Sequence, residues 1–196
     1  MSPTKKTRNT VPLSREAWVK AAMNLIAQEG VGAVAVEPLA QALGVTKGSF
    51  YWHFKSRDEL IQAALEAWEQ DQSTDVVARY SGIEDPRRRL RVLLLAAFED
   101  VENGRFSAAL AVSSEDPRVQ PFLRRATARR LALGVESFQA LGLSEAESRE
   151  RALLAYAAYA GYFQLLRTTP EAVAAVTDLS GYVRRLAQAL VPAELH

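Results

Sequence analysis

The chain has 196 residues, enough for one ordinary domain or two small ones, and its 48% hydrophobic and 24% charged side chains can bury a core. A net charge of +1 excludes an acidic or basic tail protein, and the absence of cysteine excludes disulfides, thiolate nucleophiles and cysteine-ligated metals. The longest run of apolar and small residues, Ala152 to Phe163, is 12 residues long against the roughly 20 needed to span a bilayer. With no basic-then-apolar leader at its start, the chain reads as soluble, cytoplasmic and without membrane contact.

Met1 to Pro12 carries Lys5, Lys6 and Arg8, two prolines and no apolar period, so 1–12 reads as a flexible basic arm. Order is expected from Ser14, which can cap a helix carrying Trp18, Ala21, Ala22, Leu25 and Ile26 on one face and stopped by Gly30. A short helix over 37–43 ends at Gly44, and Thr46 can cap a third over 47–54. That third helix turns Phe50 and Phe54 inward and leaves Lys47, Ser49, Tyr51, Trp52, His53 and Lys55 outward. Ser56 to Glu59 spells a capping box for a helix bearing Leu60, Ala63, Ala64, Leu65 and Trp68. We divide the chain at 60/61, inside this helix.

Farther on, Asp85-Pro86, Asp116-Pro117 and Thr169-Pro170 read as a cap followed by proline at the first helical position, and Ser144 to Glu147 is a second capping box. Ala172, Val176, Leu179, Val183, Leu186 and Leu190 step by fours and threes along one last helix, the spacing of helix-on-helix packing. Ala158, Gly161 and Leu165 share a face on which a second helix can approach closely. No alternating strand pattern occurs. The expected fold class is all-α with about nine helices: a three-helix helix-turn-helix over 13–60 and a helical domain over 61–196.

The charge is uneven. Residues 1–60 hold eight basic and five acidic side chains, a net +3 that leaves the remainder at −2, so the front of the chain is the part suited to a polyanion. Gly44-Val45-Thr46-Lys47-Gly48-Ser49-Phe50-Tyr51-Trp52-His53-Phe54, followed by Ser56-Arg57-Asp58-Glu59-Leu60, resembles the DNA-binding domain of the TetR/AcrR family of transcriptional regulators. The resemblance covers 12–60. It implies a homodimeric regulator, usually a repressor, whose C-terminal domain dimerises and holds a small-molecule effector. It also implies DNA contacts at Thr46, Lys47, Ser49, Tyr51, Trp52, His53 and Lys55.

The chemistry of these residues points the same way. Thr46, Gly48 with its neighbouring N–H groups, Lys47, Lys55, Arg57 and His53 can serve phosphates, while Ser49, Tyr51 and Trp52 can reach base edges. A solvated helix face is the alternative for 47–55, but exposed aromatics beside cations favour a partner. The arm is either a minor-groove contact or a solubilising tail. One departure from the family stands at Val36, where the first helix of the motif often opens with Ser or Thr, followed here by Glu37, which repels a phosphate.

Tyr156, Tyr159 and Phe163 form an i, i+3, i+7 stripe, and with Phe98, Phe106, Leu110 and Phe138 they are the expected lining of a pocket for a small hydrophobic effector; plain core is the alternative. The expected dimer surface is Ala158, Gly161, Leu165, Val176, Leu179, Val183 and Leu186. No cofactor, metal site or catalytic residue is expected. Two alternatives to an effector-released repressor on a palindromic operator remain open: a constitutive or architectural DNA-binding protein, and a helical enzyme. The latter lacks a phosphate loop, a Gly-x-Ser-x-Gly motif and any histidine between His53 and His196.

Overall fold

A computed structural model describes residues 13–73, 80 and 82–191, which form ten α-helices and one 3-10 turn with no strand among them. The helices are α1 (Arg15–Glu29), α2 (Val36–Ala42), α3 (Lys47–Tyr51), α4 (Arg57–Ser73), α5 (Pro86–Glu99), α6 (Val101–Val112), α7 (Gln120–Gln139), α8 (Glu145–Thr168), α9 (Pro170–Ala174) and α10 (Leu179–Leu190). Among the described residues no helix is long and apolar enough to cross a membrane. The arm 1–12 and His196 lie outside the described residues.

Side chains set most of the helix ends. Ser14 Oγ accepts the Ala17 N–H at 3.3 Å and Asp85 accepts the Arg87 N–H at 2.9 Å, each satisfying a donor that the first helical turn leaves open. Ser144 and Glu147 form the reciprocal capping box at the start of α8. Gly30 ends α1 at φ +93°, a backbone conformation that side chains with a Cβ resist.

Four details differ from the sequence reading. The single last helix is two, because Asp178 caps α10 by accepting the Gly181 N–H at 2.8 Å, and an Asp so engaged favours a helix start over a helix interior. Asp116-Pro117 opens turns instead of a helix; α7 begins at Gln120, with Pro121 in its first turn. Thr169 precedes Pro170 at the start of α9 without a side-chain cap bond. Helix α3 stops at Tyr51, three residues short of Phe54.

Apolar side chains gather in three clusters. The largest joins Trp18, Ile26, Phe50, Phe54, Leu60, Ile61, Leu65 and Trp68 to Phe106, Leu110 and Phe122 of α6 and α7. It runs without a break across position 60, so α4 is a packed beam between the front of the chain and the rest. Each such side chain fully buried contributes about 1.5–3 kcal/mol. The second cluster holds Leu90, Phe138, Ala152, Ala155 and Leu190; the third holds Phe98, Ala108, Tyr159, Phe163 and Val183. Gly104 is required in α6, because a Cβ there would lie 2.2 Å from the Phe163 ring.

Polar contacts reinforce α4 at three places. Asp58 meets Arg118, which also reaches Asp116 at 2.6 Å. Trp68 Nε1 donates to Asn103 Oδ1 at 2.9 Å, and Glu69 accepts a two-pronged contact from Arg125 at 2.7 and 2.8 Å together with Arg129 at 3.1 Å. The Arg125 hydrogen bond holds the Glu69 carboxyl below its ordinary range, and Arg118 does the same to Asp116. A carboxyl depressed in the folded state contributes stability that is fully present above its unfolded value and is lost as pH falls through the folded one. Melting temperature should therefore drop on acidification below pH ~4.5, and E69Q should shrink that drop. An equal drop in E69Q would remove Glu69 from the account.

Candidate nucleic-acid interface

The turn between α2 and α3 is built from Gly44 at φ +68°, with the Val45 N–H donating to the Ala40 carbonyl at 3.0 Å. It sets α3 against α1, where Phe50 is fully buried, edge-on to Trp18 at 5.4 Å and stacked on Phe54 at 5.4 Å. Because those two rings take the inner side, Tyr51 and Trp52 must face out, and they are 56% and 87% exposed. Tyr51 is braced edge-on against Phe50 at 5.2 Å. Thr46, Lys47, Gly48 and Lys55 are exposed around them; Ser49 and His53 are half-buried at the margin.

Two cations of this face have partners inside the protein. Arg57 donates through Nη2 to the carbonyls of Val31 at 3.1 Å and Gly32 at 3.2 Å and through Nε to that of Val34, so its guanidinium ties the 31–34 turn to the start of α4. Nε and Nη2 are thus engaged inside the protein, while Nη1 lies 3.8 Å from Asp58, so Arg57 positions the turn whatever else it meets. Lys47 Nζ lies 2.6 Å from Glu37 Oε1 on α2. This hydrogen bond lowers the Glu37 carboxyl and raises the Lys47 ammonium from their ordinary values. The pair was not anticipated from sequence, because ten residues and a turn separate its members. The cap of α2 is Ala35, one residue before Val36, and it has no side-chain oxygen to offer.

The capping box at α4 also differs in detail. The Ser56 hydroxyl accepts the Glu59 N–H at 3.2 Å, while the Glu59 carboxylate accepts the Lys55 N–H at 2.7 Å instead of that of Ser56. The result fixes the backbone at Lys55 and leaves its ammonium outside.

The expected effector residues do not come together. Phe106 and Leu110 belong to the cluster around Trp68, Phe138 to the second cluster, and only Phe98, Tyr156, Tyr159 and Phe163 share the third. Within that group the rings pack directly, Phe98 on Tyr159 at 5.9 Å and Tyr159 on Phe163 at 5.0 Å. Period-seven spacing could not distinguish a pocket wall from core. A groove of about 530 Å³ runs between α1 and α4, lined by Arg15, Glu16, Lys20, Met23, Glu66 and others, a mixed-charge setting.

The expected dimer residues divide similarly. Ala158, Gly161 and Leu165 lie on an outward side of α8, where a Cβ on Gly161 would meet nothing within 4 Å and Leu165 is 46% exposed. Leu154, one turn before Ala158 and 58% exposed, extends this stripe and was missed, although its i−4 spacing was readable. Val183 is buried in the third cluster, which corrects its assignment to a dimer surface; Leu179 and Leu186 are half-buried where they pack against it, and Val176 is half-buried in the segment after α9.

Residues 19–64 match the family model of bacterial regulatory proteins of the tetR family. Over this domain the chain is similar to regulators of the TetR family. It is 32% identical over 101 residues to the HTH-type transcriptional regulator AcrR of Shigella flexneri, a match covering 48% of this chain and 45% of that one. It is 32% identical over 100 residues to the HTH-type transcriptional regulator TtgR of Pseudomonas putida, covering 50% and 47%. Both relatives are named as transcriptional regulators. Matches to the curated relatives thus span about half of their length. A solved TetR-family regulator from a Rhodococcus species superposes with a TM-score of 0.64 at 25% identity, over 90% of this chain and 95% of that one. The TetR-family match begins at Val19 and takes in α2, α3 and the first half of α4, which together present Tyr51 and Trp52.

Proposed function

We propose that two copies of this chain bind a palindromic operator as a homodimer in the cytoplasm and repress transcription until a small hydrophobic effector releases them. The observation that carries the DNA contact is the pair Tyr51 and Trp52, exposed at the end of α3, where Phe50 and, just beyond the helix, Phe54 take the inner side. Large aromatics left in water beside Lys47 and Lys55 suit a partner that offers phosphates and stacked bases. Thr46, Lys47, Gly48, Ser49, His53 and Lys55 complete the proposed contact surface, with Arg57 as the residue that positions it. The apolar stripe Leu154, Ala158, Gly161 and Leu165 is the proposed dimer contact, since small residues let two α8 helices approach closely. Recognition helices must then stand about 34–36 Å apart to enter successive major grooves.

Effector release would act by population shift, the ligand favouring one spacing of the two recognition helices by about 1–3 kcal/mol. The direct ring packing around Phe98 favours a second reading, a constitutive binder whose aromatics are core. One experiment tests both. Fragments bound by the protein are selected from random duplex DNA at stated salt, then challenged with a panel of hydrophobic small molecules. A two-fold symmetric consensus released by some of the panel supports the proposal. A consensus that no ligand releases supports the constitutive reading, and no enrichment at all defeats DNA binding.

A further inference from the structure

We infer that Glu37 is an intramolecular phosphate mimic that holds Lys47 in the free protein, so that any duplex must displace or share a carboxylate to reach this lysine. The inference rests on the proposed entry of α3 into the groove. Its physical basis is the charge pattern around that helix. Lys47 sits at the start of α3 with its ammonium 2.6 Å from Glu37, and both side chains are more than half exposed, so the pair lies on the surface a phosphate would approach. Arg57 is turned inward onto the 31–34 carbonyls. Lys55, at the other end, has no ion pair among the described residues, and its neighbour Glu59 is engaged by the Lys55 backbone N–H. The face therefore offers one uncompensated lysine and one that already carries its anion.

Affinity for duplex DNA depends on how many cations replace the condensed counterions of the phosphates. A lysine neutralised within the protein contributes little to that exchange, because a carboxylate is set loose for every phosphate gained. An exposed ion pair is weak enough for a phosphate to compete with it, yet it lowers the net gain. Glu37 then lowers affinity for duplexes in general, irrelevant sequences included, without touching a base.

The test is a set of anisotropy titrations of E37Q, E37A, K47A and E37Q/K47A against a labelled mixed-sequence duplex and the selected consensus, over a series of salt concentrations. E37Q and E37A should bind both duplexes about three- to fivefold more tightly at low salt, with a salt slope steeper by about one unit. K47A should weaken binding in the original chain, because it leaves Glu37 unpaired beside the phosphates, and should cancel the gain in the E37Q background. Unchanged melting curves will confirm that these exposed substitutions leave the fold intact. Unaltered or weaker binding by E37Q would overturn the inference, the second outcome making Glu37 a residue that aims Lys47. If the original chain binds no duplex, the proposed function falls with it; if that chain binds and E37Q behaves identically, the mimic alone falls.

Discussion

A Gly161→Trp chain will sediment as a monomer and bind the selected consensus at least about a hundredfold more weakly than the original, the loss expected when two linked half-sites become independent. The substitution is clean, because a Cβ at Gly161 meets nothing within 4 Å inside the protomer. The indole would project from the exposed stripe of α8, where Leu154 and Leu165 flank it, and prevent a second α8 from approaching. Sedimentation and anisotropy titration together check the result, with melting temperature as the control for folding. A Gly161→Trp protein that remains dimeric would move the contact elsewhere on the molecule. Leu186→Asp is a poor alternative, since Leu186 packs against both the second and third clusters and its replacement would damage the core.

Trp68→Ala should remove about 3–5 kcal/mol of stability, as buried Trp truncations do, and lower the melting temperature by roughly 6–20 °C for a chain of this size. Trp68 is 1% exposed, lies 5.4 Å from Phe106 between ring centroids and donates to Asn103. Trp68→Phe keeps much of the ring and loses that donor, so it should cost about 1 kcal/mol. Calorimetry on the two variants separates packing from the hydrogen bond. Equal melting of Trp68→Ala and the original would mean that α4 is not held where Trp68 lies.

The front of the chain was legible because its signals are local. Ser14 and Gly30 bracket α1, Gly44 and Val45 make the turn, and Phe50 and Phe54 at i, i+4 fix which side of α3 is buried and thereby which aromatics are exposed. What sequence could not supply depends on distant partners. The Glu37 to Lys47 pair needs the crossing angle of two helices, and the inward aim of Arg57 needs the 31–34 turn to bring three carbonyls together. Likewise, apolar spacing predicted that Phe106, Phe138 and Phe163 are inside but not that they fall into different clusters. The four-and-three spacing from Ala172 to Leu190 did not reveal that the segment is two helices, one ending at Ala174 and the other opening at Leu179 under the cap of Asp178.

The unbroken apolar cluster across position 60 bears on how such regulators can be rebuilt. A graft that swaps DNA specificity by cutting after Leu60 would bring in a foreign α1, in place of Trp18 and Ile26, against the resident Ile61, Leu65, Phe106 and Leu110. Exchanging heads between relatives should succeed only when the rest of α4 and the seam on 101–126 travel with the head, or when the side chains meeting there are matched in both parents.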